Sequence, residues 1–156
     1  MKSLILLSVL FLSGNTLANP LHEYWGECRN TEVIVEEIRR DSHIKGRIEG
    51  LPKEAYEEFK VVFYVKTNRW YVHPYTWHEG QEEGYSFSNI NENGEFKVKT
   101  VRRDVPSRKL AVVVVPKNYK IRSQRLWLRP FLGIFGGVLR HKCAYTLVEG
   151  NGDFLL

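Results

Sequence analysis

Phe59-Lys60-Val61-Val62-Phe63-Tyr64-Val65-Lys66 is the stretch whose reading decides the fold. Nearly every position is β-branched or aromatic, which suits a short pleated strand. Thr67-Asn68-Arg69 follows as a turn, because Asn tolerates the left-handed backbone that tight turns use, and leads into a second strand over Trp70 to Tyr75. Upstream, Thr31 to Ile38 and His43 to Ile48 show the same period-two recurrence of apolar residues, separated by the polar turn Arg39-Arg40-Asp41-Ser42. Gly50-Leu51-Pro52 breaks the pattern, and Lys53 to Glu58 reads as a loop or a single helical turn.

Downstream, Asn93-Gly94 signals a type I′ hairpin joining a strand over Tyr85 to Ile90 with the alternating Glu95 to Thr100. Leu110-Ala111-Val112-Val113-Val114-Val115, closed by Pro116, is an unbroken apolar run of the kind that fills a central strand buried on both faces. Cys143 to Val148 reads as a last short strand, with Glu149 to Leu156 as a tail. Between them, Leu126 to Val138 is apolar but holds Arg129, Pro130 and three glycines, which fits neither a membrane helix nor a regular core helix. Many short strands without a long amphipathic helix specify an all-β, antiparallel sandwich with a C-terminal glycine-rich extension.

The first residues carry a different signal. Lys2, the apolar run Leu4 to Leu12, and Thr16-Leu17-Ala18 before Asn19-Pro20 form the positive, hydrophobic and small-residue parts of an export signal. The expected organisation is therefore a signal peptide over 1–18 and one β-sandwich domain over 19–156, a length that buries its own core. The two cysteines, Cys28 and Cys143, lie near the ends of that domain, and in an oxidising compartment they are expected to pair. Periplasmic or secreted localisation follows as an expectation.

Charge is unevenly placed. Asn19 to Phe96 holds 9 basic and 15 acidic residues, whereas Lys97 to Leu156 holds 13 and 3. Either the two halves interleave and neutralise one another, or the later residues Arg102, Arg103, Arg108, Lys109, Lys120, Arg122, Arg125 and Arg129 build a basic surface for an acidic polymer, lipid or protein. The run from Leu126 to Val138, with basic flanks, either touches a membrane surface or packs on the sandwich and covers a sheet edge.

Residues His43 to Tyr119 resemble a bacterial extracellular immunoglobulin-like β-sandwich module. The resemblance runs through Ile44-Lys45-Gly46-Arg47-Ile48-Glu49-Gly50-Leu51, Lys60 to Thr67, Trp70-Tyr71-Val72-His73-Pro74-Tyr75, Asn93-Gly94 with Phe96, and Leu110 to Val115 ending at Tyr119. It implies an immunoglobulin-like sandwich in an exported protein, in a family with no established catalytic residues. The chain differs from that pattern in standing alone and in its basic, glycine-rich extension.

The residues that suggest contact chemistry are the aromatics from Trp70 to His78. On a strand Trp70 and Val72 share one face, while Tyr71, His73 and Tyr75 share the other. One face belongs in the core; the other presents rings that stack on sugars or pack against a protein. The expected binding residues are Tyr71, His73, Tyr75 and Trp77, joined by Arg122, Arg125 and Arg129. His73, His78 and Glu79 have metal-ligating side chains but no recognised metal-site spacing. No GxSxG elbow occurs, and Glu57-Glu58 and Glu82-Glu83 read as solvated surface. The sequence leads to an exported, non-catalytic binding module of the cell envelope without a cofactor or metal. Its expected partner is carbohydrate or envelope polymer, met through aromatic residues; the alternative is a protein-interaction, inhibitor or immunity-type protein. Nucleic acid is not an expected partner; peripheral membrane contact remains open, with no transmembrane segment in the mature chain.

Overall fold

The computed structural model describes residues 19–67, 70–73, 83–84, 86–100, 106–121, 138, 141–152 and 155–156. Within them lie two short helices, α1 (Pro20–Glu23) and α2 (Trp25–Asn30), and the strands β1 (Glu32–Arg39), β2 (His43–Glu49), β3 (Phe59–Lys66), β4 (Trp70–Val72), β5 (Phe87–Asn89), β6 (Glu95–Lys99), β7 (Lys109–Pro116) and β8 (Ala144–Glu149). Lys53–Glu58, expected as a loop or helical turn, is a 3₁₀ helix. The strands form two antiparallel sheets. One is three-stranded in the order β1-β2-β6; the other is five-stranded in the order β4-β3-β7-β8, with β5 also paired to β3. The result is an all-β sandwich.

Alternation explains the first sheet. Val33, Ile44, Ile48, Phe96 and Val98 point inward, and charged residues occupy the intervening positions. In the second sheet β3 and β7 have no such alternation, because both of their faces are covered. Phe59, Val61, Phe63 and Val65 of β3, with Leu110, Val112 and Val114 of β7, meet the first sheet in the main core. There the Phe63 and Phe96 rings sit 5.8 Å apart. The other face carries Val62, Tyr64, Ala111, Val113 and Val115, which pack with Val72, Ile121 and Val138. Each such side chain contributes about 1.5–3 kcal/mol when fully buried, so the unbroken apolar runs of β3 and β7 are what a strand with two packed faces requires. Burial also pushes the Tyr64 phenol well above its ordinary pKa, with the charge and hydrogen bond of Tyr119 acting in the same direction.

Gly46 occupies the one inward position of β2 without a side chain. Its register partners are Val35 and Phe96, and β1 carries a bulge between Val35 and Glu37. A Cβ at Gly46 would lie 2.0 Å from the Ile34 carbonyl oxygen and 2.6 Å from Phe96 Cζ. The bulged backbone and the Phe96 ring therefore fill the space over this glycine.

The Asn93-Gly94 turn differs from its expected form. Gly94 has φ +79°, but its amide donates to the Asn91 carbonyl at 2.9 Å, and the Asn91 amide donates to the Glu95 carbonyl at 2.9 Å. This is a three-residue loop with a left-handed closing glycine, not a two-residue type I′ turn. The Asn91 side chain causes the change, since its Oδ1 accepts from the amides of both Asn93 and Glu95 at 2.9 Å. The strands it joins also part company: β5 pairs with β3 and β6 with β2, so the loop carries the chain from one sheet to the other.

Cys28, on α2, is bonded to Cys143, which immediately precedes β8. The last residues are less tail-like than their sequence suggests: Leu156 is buried in the main core, and its carbonyl accepts from the Ser107 amide at 2.8 Å. Residues 122–137 fall outside the described set, as do Arg122, Arg125 and Arg129 with them. Ile121 and Val138, which bracket that stretch, both pack on the outer face of the five-stranded sheet. Among the described residues, no helix is long and apolar enough to cross a membrane.

Candidate functional site

Because β3 and β7 of the five-stranded sheet are packed on both faces, the outer face of β1-β2-β6 is the described sheet surface richest in charge. His43, Lys45 and Arg47 alternate with the inward residues of β2, and Glu95, Lys97 and Lys99 do the same on β6. The antiparallel register sets His43 opposite Lys99, Lys45 opposite Lys97, and Arg47 opposite Glu95. Two of the three facing pairs thus bring basic side chains together. Directly opposed residues hold their Cβ atoms about 4.5–5.5 Å apart, and like charges there are destabilising.

On the β1 side this repulsion is offset. Glu37 Oε2 lies 3.1 Å from His43 Nε2 and 3.2 Å from Lys45 Nζ, and Glu37 Oε1 pairs with Arg39. Ser42 Oγ approaches the other ring nitrogen of His43 at 2.8 Å. The hydrogen bond from His43, then that from Lys45, hold the Glu37 carboxyl down at about 2 against an ordinary 4.5. A carboxylate with a depressed folded-state pKa stabilises the fold above its unfolded value, and the contribution disappears as pH falls toward the folded value. We expect Glu37→Gln to flatten the loss of stability between about pH 4.5 and pH 2, read as urea midpoints at several pH values. Parallel acid limbs for the two proteins would remove Glu37 from the charge lattice.

Further along the face, Arg47 pairs with Glu49 at 2.8 Å and with Glu36. The hydrogen bonds that Arg47 donates to Glu49 and Glu36 raise its pKa. Lys97 is different. No carboxylate lies within ion-pair distance of its ammonium among the described residues, while its backbone amide donates to Ser88 Oγ at 3.0 Å.

Lys45 and Lys97 form part of the lining of a groove of about 480 Å³ that runs past β6 to β5, with Asn89, Asn91, Glu83 and Glu95 among its walls. Asn91 is fixed by its own bonds, its Nδ2 donating to Glu95 Oε2 at 2.9 Å. Asn89 Oδ1 is buried with no hydrogen-bond partner among the described residues. The groove therefore combines two ammonium groups with amides and carboxylates. With Glu36, Glu83 and Glu95 the lining holds three carboxylates to two ammonium groups, a set that suits an extended, hydroxyl-rich polar ligand.

The aromatic tract is placed otherwise. Tyr71 packs against the main core, and Trp70 and Val72 against the cluster on the opposite face. His73 is 0% exposed, with its amide donating to the Phe63 carbonyl at 2.9 Å. Within the described residues both faces of this strand are therefore internal, so Tyr71 and His73 do not form a solvent-facing row. Tyr75, Trp77, His78 and Glu79 lie outside the described residues. Of the later basic residues, Arg108 and Lys120 are exposed and Lys109 pairs with Glu149, while Arg102, Arg103, Arg122, Arg125 and Arg129 fall outside the described set. Among the described residues, no three His, Cys, Asp or Glu side chains group in a way that could hold a metal ion.

Set against family models, curated proteins and solved structures, the chain finds no match in any of the three.

Proposed function

We propose that the protein is an exported, non-catalytic binding module of the cell envelope that holds a negatively charged envelope polysaccharide along the outer face of β2 and β6. The observation that carries this reading is Lys45 facing Lys97 in register, with Glu37 pairing with Lys45, His43 and Arg39 but not with Lys97. A sheet that keeps a like-charge pair where an opposite pair would be more stable has traded stability for an external counter-charge. The adjoining groove, with its amides, adds the donors and acceptors that sugar hydroxyls need. The order β1-β2-β6 against β4-β3-β7-β8 supports an immunoglobulin-like sandwich, and the Cys28–Cys143 bridge is compatible with an oxidising destination.

The test is co-sedimentation of the purified protein with insoluble anionic polysaccharide and with a neutral glucan. Binding to the anionic polymer, weakened by salt and reduced at least tenfold in a Lys45→Glu/Lys97→Glu double variant, is the expected result. Equal retention on both polymers, or a double variant that binds as well as the parent, would reject the reading. A protein-interaction role is favoured by a separate observation, the 42% and 49% exposure of Tyr145 and Leu147 side by side on β8. Affinity capture from envelope extracts that returns one protein and no polymer would select it.

A further inference from the structure

Lys60 stands out from the other lysines of the fold. It occupies an internal position of β3, between Asn89 of β5 and Val115 of β7, and it is only 5% exposed. Its ammonium rests over the Phe87 ring, 4.8 Å from the centroid. A ring face compensates part of an ammonium's lost hydration, but no carboxylate lies within ion-pair distance among the described residues. The nearest charge that acts on it has the same sign: burial first, and then Lys117, push the Lys60 ammonium below the ordinary lysine range. Lys117 follows Pro116 at the end of β7, its amide anchored on the Glu58 carbonyl at 2.8 Å. The Glu58 carboxylate is among those that raise the Tyr24 phenol, placing it within electrostatic reach of α1's end. Opposite Lys60 is Asn89, whose buried Oδ1 has no partner among the described residues. A half-turn of that amide puts an NH₂ donor where the orphan acceptor now sits.

Lys60, its register partner Asn89 and a Lys117 ammonium whose charge acts on Lys60, with no carboxylate within ion-pair distance of Lys60 among the described residues, describe a site that lacks its anion. We propose that Lys60, Lys117 and Asn89 bind one phosphate group. Phosphate carries close to two negative charges at neutral pH and three strong acceptor oxygens, matching two ammonium groups and one amide. The 5% exposure of Lys60 admits a single such group at its tip and no bulky ring. The group comes either from free inorganic phosphate or from a phosphate ester at a lipid surface. The site shares Asn89 with the wall of the polymer groove but uses neither Lys45 nor Lys97, so a Lys45→Ala/Lys97→Ala variant separates the two.

The experiment follows thermal unfolding of the full chain in inorganic phosphate against chloride at constant ionic strength. Vesicles containing phosphatidic acid, whose headgroup is a phosphate monoester, assayed by flotation, form the second arm. We expect phosphate to raise Tm in the parent and in a Lys45→Ala/Lys97→Ala variant. Lys60→Met should melt about 2–6 °C above the parent in chloride, since it removes a buried unpaired charge without losing the stem, and should no longer respond to phosphate. Lys117→Ala should need about tenfold more phosphate, the loss of one charge-assisted bond. A flat Tm in phosphate combined with flotation that Lys60→Met abolishes would assign the ester as the source. No response in either arm, a Lys60→Met variant that responds like the parent, or a response lost only in Lys45→Ala/Lys97→Ala would overturn the proposal. If Lys60→Met does not fold, an unchanged response in Lys117→Ala overturns it equally.

Discussion

Gly46→Val should leave no cooperatively folded protein, and Gly46→Ala should lose more than about 4 kcal/mol. Overpacking a core usually costs about 1–3 kcal/mol because neighbours can yield, but here the nearer obstacle, at 2.0 Å, is the Ile34 carbonyl oxygen. That atom belongs to the backbone just before the β1 bulge, where Ile34 is held in register opposite Arg47. Relieving the contact means opening the β1–β2 ladder, a change comparable with the whole stability of a domain, about 5–15 kcal/mol. A second variant separates the two obstacles. Phe96→Leu removes the ring whose Cζ lies 2.6 Å away, yet it should not rescue Gly46→Ala, because the carbonyl remains. Urea unfolding is the measurement. An alanine variant within about 1 kcal/mol of the parent would mean that the bulge yields more readily than its geometry implies.

The second large effect concerns the bridge. Cys28 and Cys143 are 115 residues apart, and closing a loop of that size restricts the unfolded chain by about 4–5 kcal/mol in the chain-entropy model, an upper figure. Replacing both by serine should lower stability by about 2–5 kcal/mol while leaving a β-type circular dichroism spectrum, since neither sheet's ladder depends on the sulfurs. The single variants should fall with the double, and reductant should bring the parent to the same midpoint. The loss should be felt first in α2, which is tied to the sandwich by Cys28 and by the Thr31 hydroxyl donating to the Glu27 carbonyl at 2.8 Å. A double variant as stable as the parent would mean that the unfolded chain is already compact enough for the bridge to add nothing.

Most of the strands were legible because their signal is local. Phe59–Lys66 falls where the apolar run places it, and β7 extends the Leu110–Val115 run by one residue at each end. What escaped was anything set by distant partners. The two faces of Trp70–Val72 read as one core face and one free face, and only the second packed cluster, with Val113 and Ile121, shows that both are internal. Asn93-Gly94 carried the right turn position, but the loop type was decided by Asn91, two residues outside the dipeptide. The lysine face was half visible: His43, Lys45 and Arg47 alternate plainly, whereas their opposition to Lys99 and Lys97 appears only once β6 is known to pair with β2 across three intervening strands. Lys60 had no sequence signal at all, since a lone lysine in an apolar strand does not disclose what lies beside its ammonium.

The bridge also shapes how the protein comes into being. A chain with two cysteines admits a single pairing, so a disulfide isomerase has nothing to sort and an oxidant alone suffices. The partner of Cys28, however, is reached only when residue 143 has been made, after seven of the eight described strands. Until then the first thiol waits unprotected during synthesis, open to capture by glutathione or by another chain. The interval between the two thiols is therefore the vulnerable stage of assembly, and mixed disulfides at Cys28 are the expected misassembled species.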